Sequence, residues 1–396
     1  MWKNIKLTIP ERKVSVWIVA LSFVYIIFNR YGWSLYIHIW PFILLTILFA
    51  VAEKRINFAF NNKLSIIGMM FCIYICISYA CFSDRSVTLK YTLYHLYEVI
   101  TVICLANYMI EKEDIKFLYK MYEISVWLIV IKMILQRVHI RGYMFRFTIS
   151  NFGKLMDVNF LAAYMLFTAI YTFDKFIKKP NASNLILFIV PLCGILMTGS
   201  RGALLSAMLG NGILLYKNYK LTKRNIFICL LIGVLAVIVV SQLPVGMINR
   251  FSVNSLNDSS NSFRIRLWLA ALKIFMSNPL FGRGAGCIYT LAEQYGGVKG
   301  MSQHNFVLEI LTDYGILGLV FVGIMILICF NRMKKIKNDV GCAILIATLV
   351  ACSIIPGLDS QTLWINLILL FITSNIELIN KSKMNKCLKV YIERCY

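Results

Sequence analysis

Long apolar runs separated by short polar turns dominate the chain. An apolar run of roughly 17–25 residues can cross a bilayer as a helix, because each helical residue rises about 1.5 Å. Twelve runs meet or approach that length, at about 14–29, 33–52, 64–83, 87–110, 116–136, 155–173, 184–199, 202–216, 225–243, 305–330, 340–356 and 360–379. The pattern predicts an all-α, polytopic integral membrane protein with a single membrane domain over 1–396. One polar stretch, 244–304, breaks the rhythm. It is far longer than a turn between helices requires, and loops of that size commonly carry function. Inside it, 262–275 has apolar positions at helical spacing and a Trp. That segment is too short to span and predicts an interfacial helix on the outer leaflet.

Composition agrees with a membrane setting. A hydrophobic fraction of 59% and a mean hydropathy of +0.73 exclude a soluble domain. The first run has basic residues before it but no small-residue cleavage site after it, so it is expected to remain as a span. Charge then orients the chain. With the N-terminus in the cytoplasm, the inner segments carry Lys3, Lys6, Arg12 and Lys13, then Lys54, Arg55 and Lys63, then Lys112, Lys116 and Lys120. Lys175, Lys178 and Lys179 follow, then Lys217, Lys220, Lys223 and Arg224, then Arg332, Lys334, Lys335 and Lys337, and a basic cytoplasmic tail over 381–396. This is the positive-inside pattern. Much of the +23 net charge is therefore a topology signal, and no nucleic-acid-binding module is visible. The cysteines sit mostly inside the apolar runs, with no C-x-x-C pair and no Cys/His metal spacing.

The predicted outer side differs in kind. Its positive charge is mostly arginine: Arg30, Arg85, Arg137, Arg141, Arg146, Arg201, Arg250, Arg264, Arg266 and Arg283. Topology needs only charge, whereas gripping a phosphate favours the planar guanidinium fork. An anionic ligand on the outer face is the expectation.

Particular residues sharpen it. Arg201 lies in Met197-Thr198-Gly199-Ser200-Arg201-Gly202-Ala203, a tight turn between two short apolar runs. An arginine snorkelling at a helix end would look the same. Arg264 and Arg266 open the loop helix, where the helix dipole favours an anion, but they do not share a face. The segment Phe281-Gly282-Arg283-Gly284-Ala285-Gly286 could cradle phosphate on backbone N–H groups, although a plain turn reads better. His304 and Asn305 open the next helix, with Asn305, Glu309 and Asp313 spaced to share one face. Carboxylates at that depth are costly unless paired, and the Arg-rich loop offers partners. A neutral His304 could take a proton from a sugar hydroxyl. A second cationic patch, with Arg137, His139, Arg141 and Arg146, precedes Asp157-Val158-Asn159, either as a docking surface or as solvated charge.

The order of these features resembles the O-antigen ligase/polymerase family, bacterial membrane enzymes that join or extend surface polysaccharides. The resemblance rests on Ser200-Arg201-Gly202-Ala203, on Arg264 with Trp268, on the run from Pro279 to Gly286, and on His304-Asn305 through Glu309 to Gly315-Ile316-Leu317-Gly318. It covers about 199–318, with Asp157-Val158-Asn159 similar to the family's Asp-Pro-Asn element. It implies that an undecaprenyl-pyrophosphate-linked oligosaccharide is the donor and that an acceptor sugar hydroxyl attacks its anomeric carbon. Arg201 and Arg264 would neutralise the departing pyrophosphate, and His304 would act as base or orient the acceptor. Arg266, Arg283, Arg141, Asn305, Glu309, Asp313, Asp157 and Asn159 would bind substrate or orient the catalytic groups. No acidic cluster for Mg²⁺ or Mn²⁺ and no nucleotide site is visible, so the expectation is a transfer without metal or cofactor, in the inner membrane. A chain-length regulator and a flippase are partners by resemblance only. A polymerase is the first reading and a ligase to lipid A core or protein the second. A flippase of lipid-linked sugars is disfavoured, because the spans show no repeated halves and few buried charges such as Lys132.

Overall fold

The computed structural model describes residues 12–28, 36–59, 61–82, 85–140, 143–218, 259–355 and 361–395. The helices are α1 (Val14–Tyr25, continued by a 3₁₀ turn Ile26–Phe28), α2 (Tyr36–Ala52), α3 (Asn62–Phe82), α4 (Arg85–Ala106), α5 (Lys112–Gln136), α6 (Val158–Lys178), α7 (Ala182–Thr198) and α8 (Arg201–Asn218). After the loop come α9 (Ser259–Ser277), α10 (Ile288–Leu291, followed by a 3₁₀ turn Ala292–Tyr295), α11 (Phe306–Lys335), α12 (Asp339–Cys352) and α13 (Gln361–Cys395). Among the described residues four helices are long and apolar enough to cross a membrane, within α3, α6, α11 and α13. Four shorter apolar ones lie at Val14–Phe28, Pro41–Ala52, Ala182–Thr198 and Asp339–Cys352. All eight coincide with expected runs. The ninth run, 225–243, lies outside the described residues, as do Arg30, Arg141, Arg250 and the first part of the 244–304 loop. The tail does not leave the helix preceding it, since α13 runs unbroken to Cys395.

The helix ends follow local chemistry. At the start of α5, Glu111 and Asp114 form a reciprocal capping box. Asp157 caps α6 by accepting from the Asn159 and Phe160 N–H groups, and Asn181 caps α7. Gly199, at φ 61°, ends α7 in the left-handed conformation.

Helix α6 is the axis of the bundle. Its side chains are buried almost all round, and it packs against α5, α7, α8, α12 and α13. A helix facing lipid would keep one face exposed, as α3 does at Ile66, Met69, Met70, Ile73 and Ile77. Lysine-rich charge gathers at the end of the bundle where α5 begins. There Lys120 and Lys175 flank the buried Glu123, Lys178 pairs with Asp174, Lys217 with Asp339, and Arg55 with Asp114.

At the other end, 137–155 is not the simple loop the sequence predicts. Strands β1 (Val138–Ile140) and β2 (Tyr143–Thr148) pair antiparallel, and β3 (Ser150–Asn151) pairs with β4 (Lys154–Leu155). The turn of the second hairpin is Phe152-Gly153, both at positive φ, as a two-residue hairpin demands. Lys132 of α5 is tied into this end, bonding the Ile27 carbonyl and Asn151 Oδ1. Helix α9 is also longer than expected. Its Ala271 and Ile274 pack on Cys287, Ile288 and Ala292, and Leu267 and Ala270 are buried on the same helix, so this apolar face meets protein and not the bilayer. A second apolar row, Ile265, Leu269, Leu272 and Met276, stays exposed and is the face suited to lipid.

Candidate functional site

The turn that carries Arg201 is held from three sides. Arg146, on β2, donates through Nε to the Thr198 carbonyl at 3.0 Å and through Nη2 to Asn159 Oδ1 at 3.0 Å. The Ser200 hydroxyl donates to the same Asn159 oxygen at 3.1 Å. Thr198 O belongs to the last turn of α7, where carbonyls lack helical partners and a cation is favoured. Asn159 sits in the first turn of α6. Hairpin, α6 and α7 thus fix the backbone one residue before Arg201, which opens α8. Arg201 then donates through Nη2 to Asn261 Oδ1 at 3.1 Å. Asn261 lies at the start of α9, so the loop helix closes over Arg201.

The same helix reaches His304. The Trp268 indole N–H donates to the Gln303 carbonyl at 2.8 Å, and the His304 N–H donates to Ser302 Oγ at 3.1 Å. His304 itself sits at φ 49°, a left-handed conformation uncommon outside glycine. Burial depresses its pKa below the ordinary histidine value, Arg264 depresses it further, and Asp157 opposes both. The imidazole is therefore neutral at pH 7, and both the Arg264 guanidinium of α9 and the Asp157 carboxylate that caps α6 are near enough to act on it electrostatically. Gln303, buried at 1% exposure, has both amide atoms without a hydrogen-bond partner among the described residues.

Helix α11 is not the continuous helix the sequence predicts. It breaks at Gly315, at φ 64° and ψ −160°. The 279–286 segment plugs the break: Ile316 N–H donates to Pro279 O at 2.8 Å and Leu317 N–H to Leu280 O at 3.3 Å. In return Arg283 N–H donates to Thr312 O and Gly284 N–H to Asp313 O, at 2.8 and 3.0 Å. Gly286 N–H reaches Asp313 Oδ2 at 2.9 Å. The glycine run is thus neither a phosphate cradle nor a loose turn, because these N–H groups are committed to α11. A Cβ on Gly282 would meet the Asp313 backbone at 2.5 Å, which explains glycine there. On the inner side of the break, Tyr74 donates to the Phe281 and Tyr314 carbonyls, and His95 Nδ1 meets the Tyr314 hydroxyl at 2.7 Å.

The expected residues therefore divide. Arg201, Arg264, His304, Asp157 and Asn159 gather where α6, α8, α9 and the loop exit meet. Arg266 turns away, exposed, with Nε on the Gly296 carbonyl. Asn305 is the N-cap of α11, with Oδ1 accepting from Val307 and Leu308 N–H, so it does not continue the helical face expected with Glu309 and Asp313. Asp313 binds the glycine segment, and Glu309 is buried beside it on the helix. Arg283 joins α11 through its backbone. Arg141 lies outside the described residues. In the sequence Arg146 is no more than one charge in a cationic patch, and Gln303 carries no signal of binding of its own. Nothing local marks Arg146, whereas Gln303 stands beside the one histidine at the loop exit.

No curated protein matches the chain. Residues 186–323, which hold Arg201, α9, the glycine segment, His304 and the break in α11, match the family model described as O-antigen ligase, and the match supports the resemblance to the O-antigen ligase/polymerase family over that part of the chain.

Proposed function

We propose that the chain transfers a glycan from a polyprenyl-pyrophosphate donor to a sugar hydroxyl on the outer face of the bacterial inner membrane. The family match supports a membrane protein of O-antigen ligase or polymerase type without choosing between them. The reading rests above all on one juxtaposition: a single loop helix touches Arg201 through Asn261 and sets Arg264 beside a neutral His304. In the proposed step the acceptor oxygen forms a bond to the anomeric carbon, and the bond from that carbon to the pyrophosphate oxygen breaks. The pyrophosphate leaves with the electron pair, and the acceptor proton passes to His304. In this reading Arg201, at the N-terminus of α8, and Arg264 meet the negative charge that grows on the leaving pyrophosphate and stabilise the transition state more than the ground state. The two guanidinium groups supply the compensating positive charge, and the transfer is proposed to be metal-independent. Asp157 favours the protonated imidazole formed in the step.

The acceptor decides between polymerase and ligase, and the donor-side residues serve either. The test is incubation of the purified chain with undecaprenyl-pyrophosphate-linked repeats in detergent. A ladder of longer lipid-linked glycans supports chain extension, and a single transfer to added lipid A core supports ligation. Intact substrate crossing vesicles with no new glycosidic bond would overturn the enzymatic reading.

A further inference from the structure

Gln303 departs from a rule that buried polar groups rarely break. Nearly all such groups in folded proteins are hydrogen-bonded, because an amide removed from water without a partner is costly. Gln303 is 1% exposed, and neither Oε1 nor Nε2 has a partner among the described residues. Its backbone is firmly placed: the Gln303 carbonyl accepts from Trp268, and the following N–H, that of His304, is held by Ser302. A leucine would fill a buried position of this size without the penalty. The amide is therefore in an arrangement that is unfavourable for folding alone, one residue from the proposed base.

We propose that the Gln303 side chain is a specificity-determining residue that binds the acceptor sugar. It rests on the glycan-transfer reading above. A primary amide offers an acceptor oxygen and donor N–H groups side by side. Two neighbouring hydroxyls on a sugar ring present the matching donor and acceptor. Engagement of such a pair orients the ring, so that the attacking hydroxyl faces His304. The chemistry also provides selection, since a ring lacking one hydroxyl leaves the buried amide half paired. The segment Lys299, Gly300 and Met301 just before it is exposed, and Gly300 takes a φ of 73° with open space around it, so we infer that the sugar approaches from this side.

The experiment compares wild type with Gln303→Leu in purified full-length chain, by thermal unfolding in detergent and by transfer kinetics with the lipid-linked repeat as donor and acceptor sugar varied. The expected result is a pair of opposite changes. The variant melts at a higher temperature, because an unpaired buried amide has been removed, while the acceptor KM rises about tenfold or more and the donor KM is unchanged. A variant that melts lower shows that the amide is partnered and overturns the proposal. Unchanged acceptor KM overturns it as well. Should Gln303→Leu fail to accumulate, Gln303→Met, unbranched and of similar length, is judged by the same criteria. Absence of transfer by the wild type is a separate outcome, which removes the glycan-transfer reading and this proposal with it.

Discussion

Replacing Gly315 with alanine puts the break in α11 to a direct test. The position holds φ 64° and ψ −160°, a region open to glycine and closed to other residues. The added methyl would lie 2.4 Å from the carbonyl carbon and oxygen of Leu280 and 2.6 Å from the Pro279 oxygen. These are backbone atoms and cannot rotate aside. Backbone strain of this kind costs about 1–3 kcal/mol. Relief requires the 279–286 segment to move off the helix, which breaks the bonds from Ile316 to Pro279 and from Leu317 to Leu280, at about 1 kcal/mol each. The expected loss is about 3–5 kcal/mol. Gly323, on the same helix, is the internal control, since a Cβ there meets nothing within 4 Å. Gly323→Ala should leave stability unchanged or raise it by up to about 1 kcal/mol. Thermal unfolding of both variants in detergent, followed by tryptophan fluorescence, measures the difference. The glycine segment also carries the chain from α9 towards His304, so Gly315→Ala should lower glycan transfer more than Gly323→Ala does. Equal melting temperatures for the two variants would refute the account of the break.

Other outcomes follow from the same geometry. The depressed pKa of His304 places the acidic limb of the rate–pH profile below the ordinary histidine value of about 6.5, with activity lost as the imidazole becomes protonated. Asp157→Asn keeps a good N-cap for α6 but removes the carboxylate that raises this pKa, so the limb should move to lower pH; a limb that stays or moves up contradicts the pairing. Arg264→Lys keeps the charge and loses the fork, and should reduce kcat by about tenfold with little change in melting temperature, measured by transfer from lipid-linked donor. Arg146→Met leaves Thr198 O and Asn159 Oδ1 without their guanidinium donor, and should destabilise the chain by about 2–3 kcal/mol while lowering transfer. If transfer stays at the wild-type rate, Arg146 does not position the Arg201 turn.

Much of the architecture was legible in the sequence because a membrane imposes simple rules. Backbone groups in lipid must bond within their own segment, so an apolar run of sufficient length becomes a helix, and eight of the described helices coincide with the runs read from the chain. Caps are equally local: Asp157 and Asn181 act on N–H groups two or three residues away. Arg201, Arg264 and His304 stand out in the sequence as candidates because arginine and histidine are conspicuous at the ends of apolar helices. Tertiary structure alone decided what each polar group bonds to. Arg146 and Asn159 are thirteen residues apart in sequence, and they meet the same turn 52 and 41 residues further on. The glycine segment could not be identified as a clasp without the break in α11 that accepts its N–H groups. Asn305 and Asp313 share a helical spacing, yet one caps the helix and the other binds the loop. Hydrophobic periodicity reports which face avoids water, a property of one element at a time. The partner of a hydrogen bond depends on distances between elements, and those are set when the helices pack.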